Sequence, residues 1–490
     1  MQPALIEQLS DPSLLKQASY IAGQWRSSLN AQRFEVHNPA SGDAIASVEN
    51  ACAEQTRQAV DAAEQAMPAW RALSAKARCE VLERWCELVL ANTEDLTRIL
   101  TAEQGKPLAE ARGEINYAAS YIKWFAEEGK RVYGDLISGQ VDRRSVVLKQ
   151  PIGIVAAITP WNFPCAMITR KVAPALAVGC AVVLKPAELT PLSALALAEL
   201  AARAGLPDGL FNVVAGTDAA AIGGVLTSDT RVKKMTFTGS TPVGKLLMSQ
   251  CAATVKRSSM ELGGNAPIIV FEDADIDLAV AGTLAAKFRN SGQTCICANR
   301  LLVHSAVHDE FVAKLQSAIA NFHLGDGFAE QTTHGPLITA EALNNVGGKV
   351  DRAVAQGAVL ACGGEVLARQ GHFYTPTILT GVTPKMDIFD EEIFGPVAPV
   401  IAFESEEEAV RMANDTQFGL AAYFYTRDMA RTWRVGEALE YGMVGINETA
   451  ISAENIPFGG VKESGQGREG SKYGLDDYLE TKYMCIGNIA

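Results

Sequence analysis

Apolar and polar positions divide this chain into two textures. Across residues 53–130 the apolar positions recur at helical spacing, as in Leu82, Trp85, Cys86 and Val89. Residues 59–66 are rich in strong helix formers, so this stretch predicts helices. From Ile152 the pattern breaks into short continuous apolar runs. Residues 152–158 form one, ended by Pro160; residues 181–184 form the next, ended by Lys185-Pro186; residues 211–214 and 234–238 follow. These predict strands. Between them, residues 167–178 predict a helix, and residues 192–204 predict an amphipathic helix that stops at Gly205-Leu206-Pro207.

Strands alternating with helices imply right-handed βαβ units and a parallel sheet. Residues 152–240 therefore predict a doubly wound nucleotide-binding region. A second series, with strands at 268–271 and 300–304 around a helix at 278–288, predicts a second α/β domain. The tail from Tyr473 is too short for its own core, and docking onto a neighbouring subunit is one outlet for it. No internal repeat or low-complexity tract interrupts the pattern.

Composition narrows the class. A chain of 490 residues exceeds one hydrophobic core, so two or three domains are expected. Hydrophobic residues at 48% and charged residues at 20% match an ordinary globular protein. The net charge of −13, with no long basic run, argues against nucleic acid or an anionic membrane as partner. Small anionic substrates answer to local charge instead. The N-terminus carries Glu7, Asp11 and Lys16 and lacks the apolar core of a secretory signal. No apolar run reaches the ~18 residues that span a bilayer. Ten scattered cysteines show no framework spacing, so reduced thiols and a cytoplasmic setting are expected.

Two motifs mislead. Gly239-Ser240-Thr241-Pro242-Val243-Gly244-Lys245-Leu246 nearly matches a P-loop. Leu246 replaces the hydroxyl that would hold Mg²⁺, and Pro242 removes a loop N–H. Gly465-Gln466-Gly467-Arg468-Glu469-Gly470 is a literal GxGxxG, but no strand-like run leads into it. His304 and His308 are spaced i, i+4 without an HExxH or CxxC companion, so no metal site is expected.

Cys295 stands apart. It follows the polar, glycine-containing segment Asn290-Ser291-Gly292-Gln293-Thr294, which weighs against a packed core and for a nucleophile. Most free cysteines are small buried hydrophobes. A nucleophile needs an activating base. Glu261, in Met260-Glu261-Leu262-Gly263-Gly264-Asn265, sits just before a Gly-Gly turn and is a candidate.

With these motifs the chain resembles the NAD(P)-dependent aldehyde dehydrogenase superfamily over essentially its full length. Met260 to Gly264 is similar to its general-base motif, and Phe288 to Cys295 to its nucleophile motif. Thr159-Pro160-Trp161-Asn162-Phe163-Pro164 resembles its oxyanion segment, and Glu391-Glu392-Ile393-Phe394-Gly395-Pro396 its nicotinamide-ribose segment. The resemblance implies an α/β fold with a Rossmann-like parallel-sheet cofactor domain (1–127 and 150–260). It also implies an α/β catalytic domain (261–470) and a small oligomerisation element (128–149 and 471–490), with homodimers or homotetramers as assemblies.

It further implies that Cys295 attacks the aldehyde, that Asn162 and the Cys295 N–H stabilise the oxyanion, and that Glu261 activates the hydrolytic water. Thr159, Pro160, Trp161, Gly239, Ser240, Glu392 and Phe394 would hold the cofactor, with Lys185 and Glu188 at the adenine ribose. A carboxylate at Glu188 repels a 2′-phosphate, so NAD is expected, with NADP as the alternative. Relatives with a short uncharged residue there prefer NADP.

Within the superfamily the chain is most similar to the succinate-semialdehyde dehydrogenase subfamily, through Trp161 to Lys171, Phe288-Arg289-Asn290 and Ile451-Ser452. There Arg170, Arg289 and Ser452 would grip the substrate's distal carboxylate, a task that suits guanidinium forks. One methylene changes binding by only about 1–3 kcal/mol, so glutarate semialdehyde is a second candidate. Cys297, two residues past Cys295, is either a packing residue or a resolving thiol in a strained, easily reduced disulfide.

Overall fold

The computed structural model describes residues 4–139 and 141–489. Residues 1–3, 140 and 490, which fall in the expected N-terminal and oligomerisation stretches, lie outside the described residues.

Four helices, Ala53–Ala72, Ala75–Ala91, Thr93–Gln104 and Leu108–Glu128, fill the first helical stretch. Leu82, Trp85, Cys86 and Val89 form the buried face of the second. The Trp85 indole donates to Leu197 O at 3.1 Å, so its burial leaves no orphan donor.

The helix Pro191–Arg203 departs from expectation. It is not amphipathic in use: ten of its 13 residues are buried. The helices Ala75–Ala91 and Thr93–Gln104 cover the side that would otherwise face water. Its buried N-terminus is capped from outside, where Glu103 accepts from Leu192 N at 2.7 Å and Ser193 N at 2.8 Å.

The first sheet has eight strands. Its parallel centre runs Phe211–Val213, Ala181–Lys185, Ile154–Ile158, Val232–Thr238, Arg257–Glu261. Register sets Ile158 beside Phe237 and Thr238 beside Glu261, so the carboxyl ends of three strands meet at one rim. The strand expected from 234 starts at Val232, within the usual uncertainty of element ends.

The second sheet has seven strands. Ala266–Val270 pairs in parallel with Ala298–His304 and with Ala421–Tyr425. A third sheet of three strands is antiparallel, and in it the tail strand Leu479–Gly487 pairs with Arg143–Pro151. The tail thus finds a partner in its own chain. Tyr483, Met484 and Ile486 on it remain exposed. Among the described residues no helix is long and apolar enough to cross a membrane.

The Gly465–Gly470 stretch, set aside in the sequence as a dinucleotide motif, has another use. Gly465–Gln466 is a two-residue strand that pairs antiparallel with Met260 and Glu261 and closes that edge of the first sheet. It opens no dinucleotide-binding helix.

Candidate active site

The rim of the first sheet faces the second sheet. Ile154–Ile158 runs into Thr159-Pro160-Trp161-Asn162, Val232–Thr238 runs into Gly239-Ser240, and Arg257–Glu261 ends on Glu261. Cys295 arrives from the other sheet, between the helix Ile276–Phe288 and the strand Ala298–His304.

The approach to Cys295 is a wound loop. Asn290, Ser291 and Gly292 are successive left-handed residues, with φ of 51°, 55° and 77°. That conformation is costly for the first two and natural for glycine. At Gly292 a Cβ would lie 2.2 Å from Gly395 O. Polar bonds hold the turn. Asn290 N donates to Glu110 Oε2 at 2.9 Å, Ser291 Oγ to Gly335 O at 2.7 Å, and Gln293 Nε2 to Asn290 O at 3.0 Å. The loop is buried, contrary to the expectation drawn from its polarity. Asn290, Ser291 and Gln293 all spend side-chain polar atoms on bonds to the protein, so polarity did not mean exposure.

Cys295 opens onto two chambers, of about 330 Å³ and about 260 Å³. Burial pushes its thiol up to about 12, and Arg170 works against that. Glu261 shares the smaller chamber with Cys295. It is 3% exposed and neither carboxyl oxygen has a hydrogen-bond partner. Burial, then the neighbouring Glu469, raise it well above the carboxylate range. Glu469 itself is drawn below that range: burial pushes it up, but Lys171 and Arg170 outweigh burial. Asn162 Nδ2 donates to Gln293 O at 3.0 Å, which leaves its second amide hydrogen for a ligand.

Arg170, Arg289 and Ser452 all line the larger chamber, with Tyr117, Phe163 and Phe458. Arg170 is 1% exposed, and its guanidinium carbon lies 3.9 Å from the Phe458 ring centroid. Its Nε sits 2.8 Å from Glu469 Oε2 in ion-pair contact, without hydrogen-bond alignment. Its Nη2 has no hydrogen-bond partner. Arg289 lies over Phe163, at 5.2 Å from the ring centroid. The Ser452 hydroxyl bonds that of Tyr117.

Pro160, Trp161, Asn162, Gly239, Ser240, Glu392 and Phe394 line the smaller chamber. Trp161 and Phe394 meet edge to face at 5.6 Å. Glu392 accepts from Gly264 N at 3.0 Å, and burial pushes it up to about 7. The helix Thr241–Ala252 starts here with Ser240 as N-cap and no side-chain cap bond. Its first-turn N–H groups and dipole suit an anion. A Cβ on Gly239 would lie 2.4 Å from the Phe237 ring, so only glycine keeps this approach open. Thr159 Oγ1 and Thr238 Oγ1 are buried without partners. These groups fit an anionic dinucleotide. Lys185 and Glu188 lie outside the chamber wall and pair with each other at 3.2 Å.

Cys297 does not line either chamber. It is 3% exposed, and its Sγ donates to Lys287 O at 3.3 Å. His304 ends a strand and pairs with Glu272, while His308 starts a helix and pairs with Asp309. Among the described residues no group of three or more His, Cys, Asp or Glu is placed to hold a metal. Sequence reasoning missed Glu469, hidden in the GxGxxG, and Lys106, Glu110 and Glu114. The spacing of Glu110, Glu114, Tyr117 and Tyr121 along one helix was a usable signal for a polar face turned inward.

Residues 25–484 match the model of the aldehyde dehydrogenase family. The chain belongs to that family and is an NAD(P)-dependent aldehyde dehydrogenase. It is 58% identical to succinate-semialdehyde dehydrogenase [NADP(+)] of Escherichia coli, over 98% of this chain and 99% of that one. It is 56% identical to glutarate-semialdehyde dehydrogenase of Pseudomonas aeruginosa, over 98% and 100%. The crystal structure of an E. coli NADP-dependent enzyme matches with a TM-score of 0.97 and 58% identity, over 98% and 100% of the two chains.

Proposed function

We propose that this enzyme oxidises succinate semialdehyde to succinate, with NAD as the preferred cofactor. The observation that carries the substrate is Arg170 Nη2, a buried donor with no acceptor, in the wall of a chamber that ends at Cys295. A buried cation with an open donor is costly until an anion meets it. Arg289 and Ser452 line the same chamber and would complete the grip on a distal carboxylate.

Cys295 attacks the aldehyde carbon as thiolate, after its proton passes through Glu261 to solvent, which leaves Glu261 ionised for the later step. The oxyanion accepts from Asn162 Nδ2 and the Cys295 N–H. A nicotinamide held in the smaller chamber would supply the hydride acceptor for oxidation of the thiohemiacetal to a thioester. Glu261, with both oxygens free of protein donors, then takes the proton of the water that hydrolyses the thioester. Pro160, Trp161, Gly239, Ser240, Glu392 and Phe394 would hold the cofactor, together with the unpartnered hydroxyl of Thr159. The Glu188 carboxylate beside Lys185 supports NAD. Kinship to NADP-named proteins points the other way, so the ratio of kcat/KM for the two cofactors decides it.

The three-part domain division expected from the sequence is proposed with the same boundaries, the exposed tail strand serving a homodimer or homotetramer. Glutarate semialdehyde is the second reading. The glutarate-semialdehyde relative favours it, as does a side chamber of about 200 Å³ that adjoins the substrate chamber at Arg289 and Ser452.

Arg170→Ala and Arg289→Ala are the direct test. Each is expected to lower kcat/KM for succinate semialdehyde by about 10²-fold, the size of one charge-assisted contact, and to leave butanal nearly unaffected. Equal losses on both aldehydes would remove the assignment.

A further inference from the structure

A buried polar cluster beside the reacting groups has no part in the steps above. Lys106 follows the helix Thr93–Gln104 and is 2% exposed. Its Nζ donates to Glu114 Oε2 at 2.6 Å and to Asn162 O at 2.8 Å. The other Glu114 oxygen accepts from Cys165 N at 2.9 Å and Ala166 N at 3.3 Å, where the helix Ala166–Val178 begins. One turn earlier on the Leu108–Glu128 helix, Glu110 accepts from Asn290 N at 2.9 Å. Asn290 Nδ2 closes the circuit by donating to Asn162 O at 3.1 Å.

The Asn162 carbonyl therefore receives two donors, one from each side. The segment carrying Asn162 and the left-handed loop carrying Cys295 hang from one helix face, through carboxylates four residues apart. A buried ion pair of this kind is poor evidence for stability, because apolar residues of equal volume often serve as well. What it offers is direction. Oxyanion donors act only when they sit about 2.7–3.1 Å from the developing charge. A displacement of about 1 Å costs on the order of 10²-fold in rate.

We propose that Lys106, Glu114 and Glu110 form a positioning brace that fixes the Asn162 amide against the Cys295 loop. The brace rests on Asn162 and Cys295 acting as proposed above. Lys106 lines neither chamber, whereas Glu110 and Glu114 border the substrate chamber. Loss of Lys106 and of the Glu114–amide bonds acts on kcat, and glutamine at position 114 keeps the shape of the wall and so KM.

Two sets of variants test it beside Asn162→Ala. Lys106→Met combined with Glu114→Gln removes both charges of the pair together, and Arg289 still faces the buried Glu110. Its kcat is expected to fall about 10²-fold, with KM for aldehyde and cofactor within a few-fold of wild type. Glu110→Ala is expected to lower kcat about tenfold, and Glu110→Gln to restore most of it, because an amide oxygen still accepts from Asn290 N. If the double variant does not fold, the Glu110 pair decides. Wild-type kcat in the folded double variant, or equal kcat in Glu110→Ala and Glu110→Gln, overturns the brace. Wild-type kcat in Asn162→Ala overturns the oxyanion assignment and the brace with it. A fall in Asn162→Ala alone removes only the brace.

Discussion

Arg170 and Arg300 are both buried, at 1% and 0% exposure, and they are treated in opposite ways. Arg300 aims every nitrogen at an oxygen. It donates to Asn265 O at 2.9 Å, Met412 O and Ala413 O at 2.8 Å, and the Tyr441 hydroxyl at 2.8 Å. Met412 and Ala413 lie in the last turn of the helix Glu406–Asn414, whose carbonyl end attracts a cation. Arg170 has one ion-pair contact, rests on aromatic rings and leaves Nη2 open. Burial alone therefore does not separate an arginine fully bonded within the protein from one that keeps a donor open. Satisfaction of the donors does.

The largest effect that would break this contrast is in stability. Arg300→Met orphans several buried carbonyls, each costing about 1–3 kcal/mol, and should lower Tm sharply. Arg170→Met leaves Glu469 still paired with Lys171 and should shift Tm little. Similar Tm losses in thermal unfolding would show that the two arginines do the same work.

The carboxylates sharpen the contrast at a smaller scale. Glu103 is satisfied by two helix N–H groups, whereas Glu392 accepts from one and waits on the chamber wall. Burial favours the neutral acid of Glu392 and places its titration at about 7. The ionised form, which would accept the ribose hydroxyls under the proposed function, exists above that pH and is lost below it. KM for the cofactor should rise up to about tenfold from pH 8 to pH 6, and Glu392→Gln should flatten the profile. A slope unchanged in the variant assigns the titration elsewhere.

The smallest expected effect concerns the two neighbouring thiols. Cys295 faces both chambers, while the Cys297 thiol is engaged by Lys287 O. Cys297→Ala should cost about 1 kcal/mol of packing and leave recovery from peroxide by dithiothreitol intact. Loss of recovery would reveal a disulfide with Cys295 instead.

The parallel strands and the helices between them were legible because each leaves a local signature. Cys295 and Glu261 stood out as candidates beside a polar segment and a glycine turn, whereas Asn162 entered only through the family resemblance. The structure brings all three to one chamber. The buried sides of Pro191–Arg203 were not legible, because what covers a helix is decided by elements distant in sequence. The polar loop at Asn290–Thr294 read as exposed for the same reason. Its partners Glu110, Gly335 and Ile338 lie tens to hundreds of residues away. Glu469 was hidden by a glycine motif whose true use is an edge strand.

That edge strand has a consequence for how the enzyme comes into being. Glu261 stands on the last parallel strand of the first sheet, and Gly465–Gln466 is the strand that seals it. During synthesis the ribosome must therefore add roughly two hundred further residues before that edge is covered and Glu261 acquires its surroundings, and contacts of such range form late. A chain still being made has an open sheet edge at Glu261. The surroundings of Glu261 are complete only once residues 465–466 have been delivered and paired.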